Sequence, residues 1–463
     1  MFSSLHDFLQ HLERIGDLHE IDAPVSPDLE IAAIVRRISN NVRSSPALLF
    51  RTPAPFSIPV AANLFGSRRR MRLALGLDSL NDLTNAVNAA LAPITAASDI
   101  SRLGAALAGG ASLPPSLLPH ELVPCREEPV LGDDLLQLPF HRNWPADGSA
   151  AGSGRYITLG QVATIDPEGS RHNYGIYRCQ IHDSRTLAIR WRKGSGAAEH
   201  HRRFIERNER MPVAIVLGGP PTLILAAAWP LPPGIDELAF AGWLRGVEIP
   251  MVACPHGPLQ VPAEADIVIE GFAEPDQPLV EGPFGNHTGR YDPAGPAARV
   301  TVTRITRRRK PVLPITVVGP PPQEDCWMML GWERMLAAML PRLVPGIRDI
   351  FMPLPWVFRQ SAIIALENPT ARSVRETAHA LWRLPWFAQA RLLVLVESDA
   401  PLGNLLQVAW RVVNEPDWSD DLIRDETGRR LAIDATRRSF GEGLEDPATE
   451  RLITGRWQEY GLP

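Results

Sequence analysis

The sequence predicts an α/β protein of several domains, in the order α/β, β-barrel, α/β. A chain of 463 residues is too long for one ordinary hydrophobic core. Near both ends, apolar residues recur at helical spacing between strand-like runs, whereas short strand-like runs separated by turns fill the middle. We therefore predict an N-terminal α/β domain over 1–120, a central domain over 121–308 and a C-terminal α/β domain over 309–463.

The first domain combines helices with short strands. Leu5, Phe8 and Leu12 share one helical face, which predicts a helix within 3–20 that Gly16 closes. Residues 100–120 are rich in Ala, Gly, Ser and Pro, which predicts a linker or a loosely packed segment. The other predicted elements are a helix over 28–39, strands over 47–50 and 60–64, and a helix from about 80.

The central domain is predicted to be rich in β-structure. Its many short strands with turn signals indicate a barrel or a sandwich. The apolar stretch 211–231 is interrupted by two glycines and two prolines at 218–221, which predicts two strands joined by a turn rather than a membrane span. The predicted strands cover 156–165, 175–181, 187–192, 213–217, 249–252 and 266–269, and the predicted helices cover 200–207 and 236–244.

The pattern returns to α/β towards the C-terminus. Strands over 300–306 and 312–318 precede a long helical pattern over 325–340. A strand over 361–366, a helix over 374–382, a strand over 391–396 and a helix over 402–412 follow. Alternation of this kind is typical of an α/β sheet with helical connections.

The composition excludes several function classes. A net charge of −5 gives no general attraction to nucleic acid. The four cysteines form no Cys-x-x-Cys pair, which argues against structural zinc and against a disulfide scaffold. No basic region precedes an apolar stretch at the N-terminus, so we expect a cytoplasmic protein, with peripheral contact at the inner membrane left open. The only lysines are Lys193 and Lys310, each beside other basic residues, so a Schiff-base lysine is not expected.

Two segments carry groups that can hold an anion or a metal. Asn173 and Tyr177 share one face of a predicted strand and Arg178 takes the other, although a polar edge strand would look the same. The nearby run Arg190-Trp191-Arg192 is cationic enough to hold a carboxylate or a phosphate. Glu237 opens a predicted helix, where favourable interaction with the helix dipole explains it as well as metal binding does.

The segment 281–291 is a constrained loop rather than a strand or a helix. It reads Glu-Gly-Pro-Phe-Gly-Asn-His-Thr-Gly-Arg-Tyr, with three glycines and one proline. Such a loop can bring backbone against a flat ligand while it presents Glu281, Asn286 and His287. Glycine-rich turns alone are weak evidence for a site.

This loop resembles the Glu-Gly-Pro-Phe/Tyr-Gly-Asp/Glu motif of the UbiD family of prenylated-flavin decarboxylases. Further segments resemble the family in the same order over nearly the whole chain, and the closest pattern is that of the 4-hydroxy-3-polyprenylbenzoate decarboxylases of ubiquinone synthesis. These segments are 5–18, 24–31, 46–50, 63–66, 173–178, 190–191, 239–246 and 433–436.

The resemblance implies a split β-barrel of the flavin-reductase type at the centre and a C-terminal domain that serves oligomerisation, as a homodimer or homohexamer. It implies prenylated FMN as the cofactor, supplied by a flavin prenyltransferase, and manganese, with potassium as a further candidate ion. The implied metal ligands are Asn173 and Glu237, and the implied catalytic residues are Arg178 and Glu281. The implied cofactor contacts are Ile176, Tyr177, Arg178, Arg190, Trp191, Arg192, Ser195, Gly196 and Arg430.

The chain also departs from the family pattern. Asn286 stands where the family has an acid, and an amide cannot act as a general acid near neutral pH. His287, water or Glu281 would have to supply the proton. The stretch Lys193–Gly196 replaces a His-Arg-Gly stretch, and His200 or His201 could substitute, although we expect both on a helix surface. Arg290 replaces a usual Tyr, and Arg430 a common Lys.

Two functional readings from different classes follow. The first is a decarboxylase acting on an aromatic or α,β-unsaturated carboxylic acid. The second is a catalytically silent paralogue that serves as a partner subunit or flavin-binding protein, which Asn286 and the altered 193–196 segment favour. A third reading, an enzyme that works towards carboxylation, would use the same groups.

Overall fold

The computed structural model describes residues 1–41, 45–119, 123–436 and 446–461. It shows a mixed α/β fold of several sheets, as the sequence predicts. Within the described ranges, no helix combines the length and the apolar character that crossing a membrane requires. The four cysteines are buried and free, as expected for a chain without a disulfide scaffold.

The N-terminal region packs helices on a four-stranded sheet with the order β1-β2-β3-β19. The first helix begins after Ser4, whose hydroxyl accepts a hydrogen bond from the Asp7 N–H at 3.1 Å, and buries Leu5, Phe8 and Leu12, as predicted. The helices are α1 (Leu5–Arg14), α2 (Glu30–Ser39), α3 (Arg68–Leu75), α4 (Asn81–Ala90) and α5 (Ile100–Gly110). The strands are β1 (Leu18–Ile21), β2 (Ala47–Phe50), β3 (Val60–Ala62) and the later β19 (Leu313–Pro314).

The prediction of a linker over 100–120 is wrong for its first half, which forms α5. The Asp99 carboxylate caps this helix by accepting from the N–H groups of Ser101 and Arg102, each at 2.9 Å. Leu103 and Leu107 are buried against the core. Small residues that suggested a linker therefore serve close packing of a helix.

The prediction of two strands over 211–231 is half wrong. The first half is β11 (Met211–Gly218), but the second half is the helix α7 (Pro221–Ala228). Proline is favoured in the first turn of a helix because the missing N–H would be unpaired there anyway. Every residue from Pro221 to Ala227 is buried, so the helix has no polar face that could reveal its period in the sequence.

The central region is dominated by a ten-stranded sheet whose main path is β6-β9-β10-β18-β14-β11-β7-β8. Its strands are β5 (Glu128–Pro129), β6 (Tyr156–Ile157), β7 (Gln161–Ile165), β8 (His172–Ile176), β9 (Cys179–Ile181), β10 (Thr186–Ile189), β11, β14 (Ala265–Ala273), β15 (Leu279–Glu281) and β18 (Gly295–Arg307). Beside it lie β4 (Ser116–Leu117), β12 (Pro250–Ala253) and β13 (Gln260–Pro262), the pair β16 (Phe284–Gly285) and β17 (Tyr291–Asp292), and the helices α6 (Gly196–Glu206) and α8 (Glu237–Arg245).

This sheet must curl, because chain neighbours occupy its opposite ends. β8 ends one side of the path and β9 lies near the other, yet only Tyr177 and Arg178 connect them. Two connecting residues span at most about 10 Å, so the two edges of the sheet approach each other there. The curl places Arg178 at the junction of the edges.

The C-terminal region is a five-stranded sheet with helices, in the order β20-β21-β22-β24-β23. The long helix α9 (Glu324–Leu343) connects it to the rest, because α9 is buried over most of its length and packs against α3, α4 and β20. The strands are β20 (Ile347–Phe351), β21 (Ala362–Leu366), β22 (Leu392–Glu397), β23 (Leu422–Arg424) and β24 (Leu431–Asp434). The helices are α10 (Ala371–Arg383), α11 (Leu405–Asn414) and α12 (Pro447–Arg456).

Candidate active site

The glycine-rich loop forms a turn and a short hairpin between β15 and β17. Gly282 has a φ of +95°, which a residue with a side chain rarely adopts. A Cβ at Gly285 would lie 2.1 Å from the Trp144 ring, so only glycine fits there. The Asp147 carboxylate holds this strand by accepting from the Gly285 N–H at 2.7 Å, and burial raises the pKa of Asp147 to about 6.

Glu281 and Arg178 form a two-pronged ion pair at the edge of the sheet. The Nε and Nη2 atoms of Arg178 lie 2.9 and 3.0 Å from the two carboxylate oxygens of Glu281, which is fully buried. Arg190 approaches the same carboxylate at 3.3 Å, and the Tyr156 hydroxyl donates to it at 3.2 Å. The Phe284 ring lies 4.6 Å from the Arg178 guanidinium carbon. The structure therefore brings together the two residues predicted to be catalytic.

A second carboxylate on the same arginine escaped the sequence analysis. Asp292 accepts from Nη1 of Arg178 at 2.7 Å, and its side chain is 42% exposed. The signal in the sequence was an acid directly after the glycine-rich loop. It was missed because only the pairing of β16 with β17 brings Asp292 back beside Phe284.

Asn286 hydrogen-bonds this second carboxylate. Its Nδ2 donates to Asp292 Oδ1 at 2.6 Å, and its Oδ1 accepts from the Thr288 N–H at 2.8 Å and the Thr288 hydroxyl at 2.6 Å. These partners fix the orientation of the amide, since its oxygen faces two donors and its nitrogen a carboxylate. Asn286 therefore lies against an acid.

His287 lies at the same cavity but faces another element. Its ring stacks on Phe358, with 3.7 Å between the ring centroids and 22° between the planes. Arg290 also borders the cavity and is exposed, so its charge lies close to the pocket. Both residues are thus near the site that the sequence predicted for them.

A cavity of about 620 Å³ connects these groups. This volume lies in the range that holds a small organic ligand. Both polar and apolar side chains line it, and Asp325, Met328 and Met329 all come from α9. Its lining includes Leu159, Ile176, Arg178, Phe284, Asn286, His287, Asp292, Asp325, Met328, Met329 and Phe358.

Asp325 is a second acid of this cavity that the sequence analysis did not single out. It lies in the first turn of α9. Burial, with a smaller effect of the neighbouring Glu324, raises the pKa of Asp325 to about 7. Acids are common in the first turn of an α-helix, so the sequence alone could not distinguish Asp325 from a residue that only stabilises the helix end.

Asn173, in β8, and Glu237, the first residue of α8, lie near each other. The Tyr174 N–H donates to Glu237 Oε2 at 3.2 Å, and burial raises the pKa of Glu237 to about 8. The buried Asn173 Nδ2 has no hydrogen-bond partner among the residues that the structure describes, and a Cβ at Gly196 would lie 2.5 Å from Asn173 Oδ1. A buried amide and a carboxylate without a neighbouring cation fit a hard divalent metal. Among the described residues no group of three His, Cys, Asp or Glu side chains is placed to hold a metal ion.

Four of the predicted cofactor residues, Tyr177, Trp191, Ser195 and Gly196, lie near Asn173 and the start of α6. Tyr177 packs edge-on against Trp191, with 5.2 Å between the ring centroids. Ser195 caps α6 by accepting from the Ala198 N–H at 3.3 Å, and Gly196 begins that helix. The start of α6 therefore lies beside Asn173, and a helix N-terminus is an arrangement that suits a phosphate. Arg192 is exposed beside them.

The expectation of surface positions for His200 and His201 is wrong, because both are buried. His200 Nδ1 lies 3.0 Å from the Thr164 hydroxyl. His201 Nδ1 accepts from Trp191 Nε1 at 3.1 Å, and its other nitrogen lies 3.1 Å from the Glu274 carbonyl oxygen. Both rings therefore serve the packing of α6 on the sheet.

Arg430 lies in the C-terminal region, before β24. Its Nε donates to Asp425 at 3.0 Å and its Nη1 to the Trp382 and Ala388 carbonyl oxygens, at 3.2 and 3.3 Å. These contacts anchor it within its own domain. Its contact with a cofactor stays a prediction.

Three family models match consecutive parts of the chain. They describe 3-octaprenyl-4-hydroxybenzoate carboxy-lyase: its N-terminal domain matches residues 9–89, its Rift-related domain residues 118–321 and its C-terminal domain residues 326–453. An uncharacterized protein of Archaeoglobus fulgidus is 32% identical, with 99% of this chain and 98% of that protein covered. One of Aquifex aeolicus is 33% identical, with 100% and 99% covered.

Solved structures with the same fold include two enzymes. The vanillic acid decarboxylase of Sedimentibacter hydroxybenzoicus, in its closed form, is 25% identical, with a TM-score of 0.85 and complete coverage of both chains. An evolved dimeric form of the UbiD-class enzyme HmfF from Pelotomaculum thermopropionicum, in complex with prFMN, is 24% identical, with a TM-score of 0.82 and coverage of 98% and 100%.

Proposed function

Because the chain belongs to the UbiD family of carboxy-lyases, we propose that it decarboxylates an aromatic or α,β-unsaturated carboxylic acid with prenylated FMN. The observation that carries the proposal is the Arg178–Glu281 ion pair at the wall of a ligand-sized cavity. Work in the direction of carboxylation would use the same groups.

Arg178 would bind the carboxylate of the substrate. A guanidinium has five N–H donors, of which three point at Glu281 and Asp292. The remaining donors can hold a further carboxylate in the cavity, and Glu281 keeps the guanidinium in place from its buried side. Phe284 covers the same guanidinium and limits the approach of water.

The cofactor would lie beside β8. When bound, prenylated FMN supplies an electron sink for the carbanion that loss of carbon dioxide leaves. Asn173 and Glu237 would hold manganese, or potassium as a further ion, and the start of α6 with Ser195 and Gly196 would hold the phosphate. The other proposed contacts are Ile176, Tyr177, Arg178, Arg190, Trp191, Arg192 and, from the C-terminal domain, Arg430. The curled central sheet supports a split barrel of the flavin-reductase type.

The substrate that we favour is a 4-hydroxy-3-polyprenylbenzoate of ubiquinone biosynthesis, and the description of the matching family models supports it. The methionines of the cavity, Met328 and Met329, suit an aromatic ring or an apolar chain because thioethers adapt to irregular surfaces. Another aryl or heteroaryl acid is the alternative, since a related structure is a vanillic acid decarboxylase. We further propose a cytoplasmic location, with peripheral contact at the inner membrane for a polyprenylated substrate.

We also propose a homo-oligomer, a homodimer or homohexamer, joined through the C-terminal domain over 309–463. Leu406, Trp410 and Val413 are exposed on one face of α11. Apolar side chains at this spacing form a stripe that usually packs against another surface. Sedimentation of the purified protein at several concentrations would test this.

A catalytically silent paralogue is the second candidate function, because Asn286 stands where the family has an acid. Co-expression with a flavin prenyltransferase, absorbance of the purified protein and an assay of carbon dioxide release across benzoates, cinnamates and heteroaryl acids separate the two. Bound flavin with turnover supports the decarboxylase. Bound flavin without turnover on any acid supports the paralogue, and absence of flavin contradicts the cofactor.

A further inference from the structure

The acid that the family has at position 286 is matched by another acid in space. Asn286 and Asp292 flank a hairpin closed by the Asn286 N–H, which donates to the Arg290 carbonyl oxygen at 3.0 Å. The pairing of Phe284 with Asp292 across the two strands brings the side chain of residue 292 next to that of residue 286. Asn286 and Asp292 are six positions apart in the sequence, and Asn286 Nδ2 lies 2.6 Å from Asp292 Oδ1.

Asp292 also has the contact that a third catalytic carboxylate needs. Its Oδ2 lies 2.7 Å from Arg178 Nη1, whereas Glu281 occupies the Nε and Nη2 side of the same guanidinium. Asp292 borders the cavity, and Glu281 lies buried behind the arginine. One arginine thus has a buried carboxylate behind it and an accessible carboxylate at the cavity.

The amide at 286 fits this arrangement. Two carboxylates within hydrogen-bond distance of each other cannot both ionise without a large energetic cost. An amide beside the acid removes that repulsion and fixes the acid through a hydrogen bond from Nδ2. Thr288 holds the amide oxygen, so the amide cannot rotate freely away from Asp292.

From these contacts we propose that Asp292 is the proton donor of the reaction and that Asn286 is a positioning residue. In this chain the acid that contacts Arg178 at the cavity is Asp292, across the hairpin from Asn286. This inference rests on the proposed decarboxylation.

The two carboxylates differ in their access to solvent. Glu281 is fully buried and contacts Arg178, Arg190 and the Tyr156 hydroxyl. Asp292 contacts Arg178, and its side chain is 42% exposed. Of the two, Asp292 is therefore the carboxylate that can exchange a proton with solvent.

The proposed step balances in atoms and electrons. The carbon–carboxylate bond breaks, carbon dioxide leaves, and the bonding electron pair stays on the substrate carbon. The O–H bond of the Asp292 carboxylic acid then breaks as a C–H bond forms at that carbon, which leaves Asp292 as a carboxylate that Arg178 stabilises. Solvent protonates Asp292 again before the next turnover, and its partly exposed side chain allows this.

The proton-transfer step can be measured alone as hydrogen–deuterium exchange, in which deuterated water replaces the hydrogen at the product carbon that had carried the carboxylate. An acid accepted by the enzyme is first identified, and its product is then incubated with flavin-loaded protein in deuterated water. The variants are Asp292→Asn, Asn286→Asp and the double variant that combines Asn286→Asp with Asp292→Asn. Asp276→Asn, at an exposed aspartate of another loop, is the matched control.

We expect Asp292→Asn to lower both exchange and turnover by about 10²–10⁴-fold. The double variant should restore hydrogen–deuterium exchange and turnover to within about tenfold of the wild type, because it returns a carboxylate to the pair of positions 286 and 292. An asparagine at 292 still offers Arg178 an oxygen, so flavin absorbance and thermal stability should stay unchanged. Asp276→Asn should behave like the wild type.

A rate of hydrogen–deuterium exchange in Asp292→Asn equal to that of the wild type would overturn the proposal. So would a double variant that stays as inactive as Asp292→Asn. If Asp325→Asn or His287→Phe instead lost exchange while Asp292→Asn kept it, the donor would be that residue. A wild-type protein that binds flavin but neither exchanges nor decarboxylates would contradict the proposed function itself. If Asp292→Asn failed to fold, Asp292→Glu and the double variant would decide, again by hydrogen–deuterium exchange and turnover.

Discussion

A buried carboxylate lies near each end of the segment 173–178, and the two differ in whether basic side chains balance their charge. At one end, Glu281 contacts Arg178, Arg190 and the Tyr156 hydroxyl, so its charge is balanced by the chain. At the other end, Glu237 receives a backbone hydrogen bond from Tyr174, and burial raises its pKa to about 8. Within the described residues no basic side chain forms an ion pair with Glu237.

This difference indicates which end needs a cation from solution. A buried carboxylate without a counter-charge is costly, and a metal ion removes that cost. A carboxylate already paired with two arginines needs no metal. These contacts therefore support the proposed carboxylate site at the Arg178 end and the proposed metal at the Glu237 end.

Removal of Arg178 should have the largest effect. Arg178→Met leaves the buried Glu281 without its two-pronged partner, which typically costs about 3–5 kcal/mol of stability. We expect turnover to fall by at least about 10²-fold, since the carboxylate of the substrate loses its donors. Assays of carbon dioxide release and urea unfolding measure both effects.

Arg178→Lys is the matched control for charge. It keeps a cation but loses the planar fork, so it should fall between the wild type and Arg178→Met in both measurements. Equal stability and turnover in the wild type, Arg178→Lys and Arg178→Met would contradict the role of Arg178 as the partner of Glu281 and of the substrate carboxylate.

Manganese should distinguish the other end. We expect it to raise the free energy of unfolding of the flavin-loaded wild type by about 2.7 kcal/mol at a concentration one hundred times its Kd. Glu237→Gln should abolish this stabilisation, because an amide is a weaker metal ligand than a carboxylate. Glu199→Gln, at an exposed glutamate of α6, should retain it. Equal stabilisation of Glu237→Gln and the wild type would place the metal elsewhere.

Asp147 supports the arginine end through the backbone of the hairpin. Asp147→Ala leaves the buried N–H of Gly285 without its acceptor, along with the N–H of Trp144. Each unpaired group costs about 1–3 kcal/mol, so we expect a clear fall in the melting temperature. Asp147→Asn retains one acceptor and should lose less. A melting temperature unchanged in Asp147→Ala would show that the hairpin does not depend on this carboxylate.

The smallest effect concerns pH and Asp325, across the cavity from Arg178. Its pKa of about 7 in the folded protein exceeds its ordinary value of 3.8, so it favours folding when protonated. Its contribution is complete below about pH 4 and is lost as the pH rises through about 7. Glu324 and Glu333, whose pKa burial also raises to about 7, act in the same direction.

Calorimetry of the wild type and Asp325→Asn between pH 5 and 8 tests this sign. As the pH rises, the melting temperature of the wild type should decrease relative to that of the variant, because only the wild type loses the contribution of Asp325 in this range. Parallel slopes would contradict the raised pKa of Asp325.

Much of the site was predictable because its chemistry is concentrated in local motifs. The constrained loop pointed to Glu281 and the polar segment before Arg178 pointed to Asn173, whereas the roles proposed for these residues came from the family resemblance. Glu237 was foreseen only through the resemblance, since a first-turn acid has an equally good structural explanation. His200 and His201 were misplaced, because two adjacent polar residues in a helical pattern give no sign of a partner on a distant strand.

The sequence by itself determined the order of the domains, the family and the residues of the loop, because these depend on local periodicity and on motifs that are contiguous in the chain. Only the tertiary structure decided which acids share the cavity. Asp292 and Asp325 reach it through a hairpin pairing and the first turn of α9, and such contacts depend on how distant elements pack. For that reason Asn286, which in the sequence is a missing acid, lies in the structure next to one.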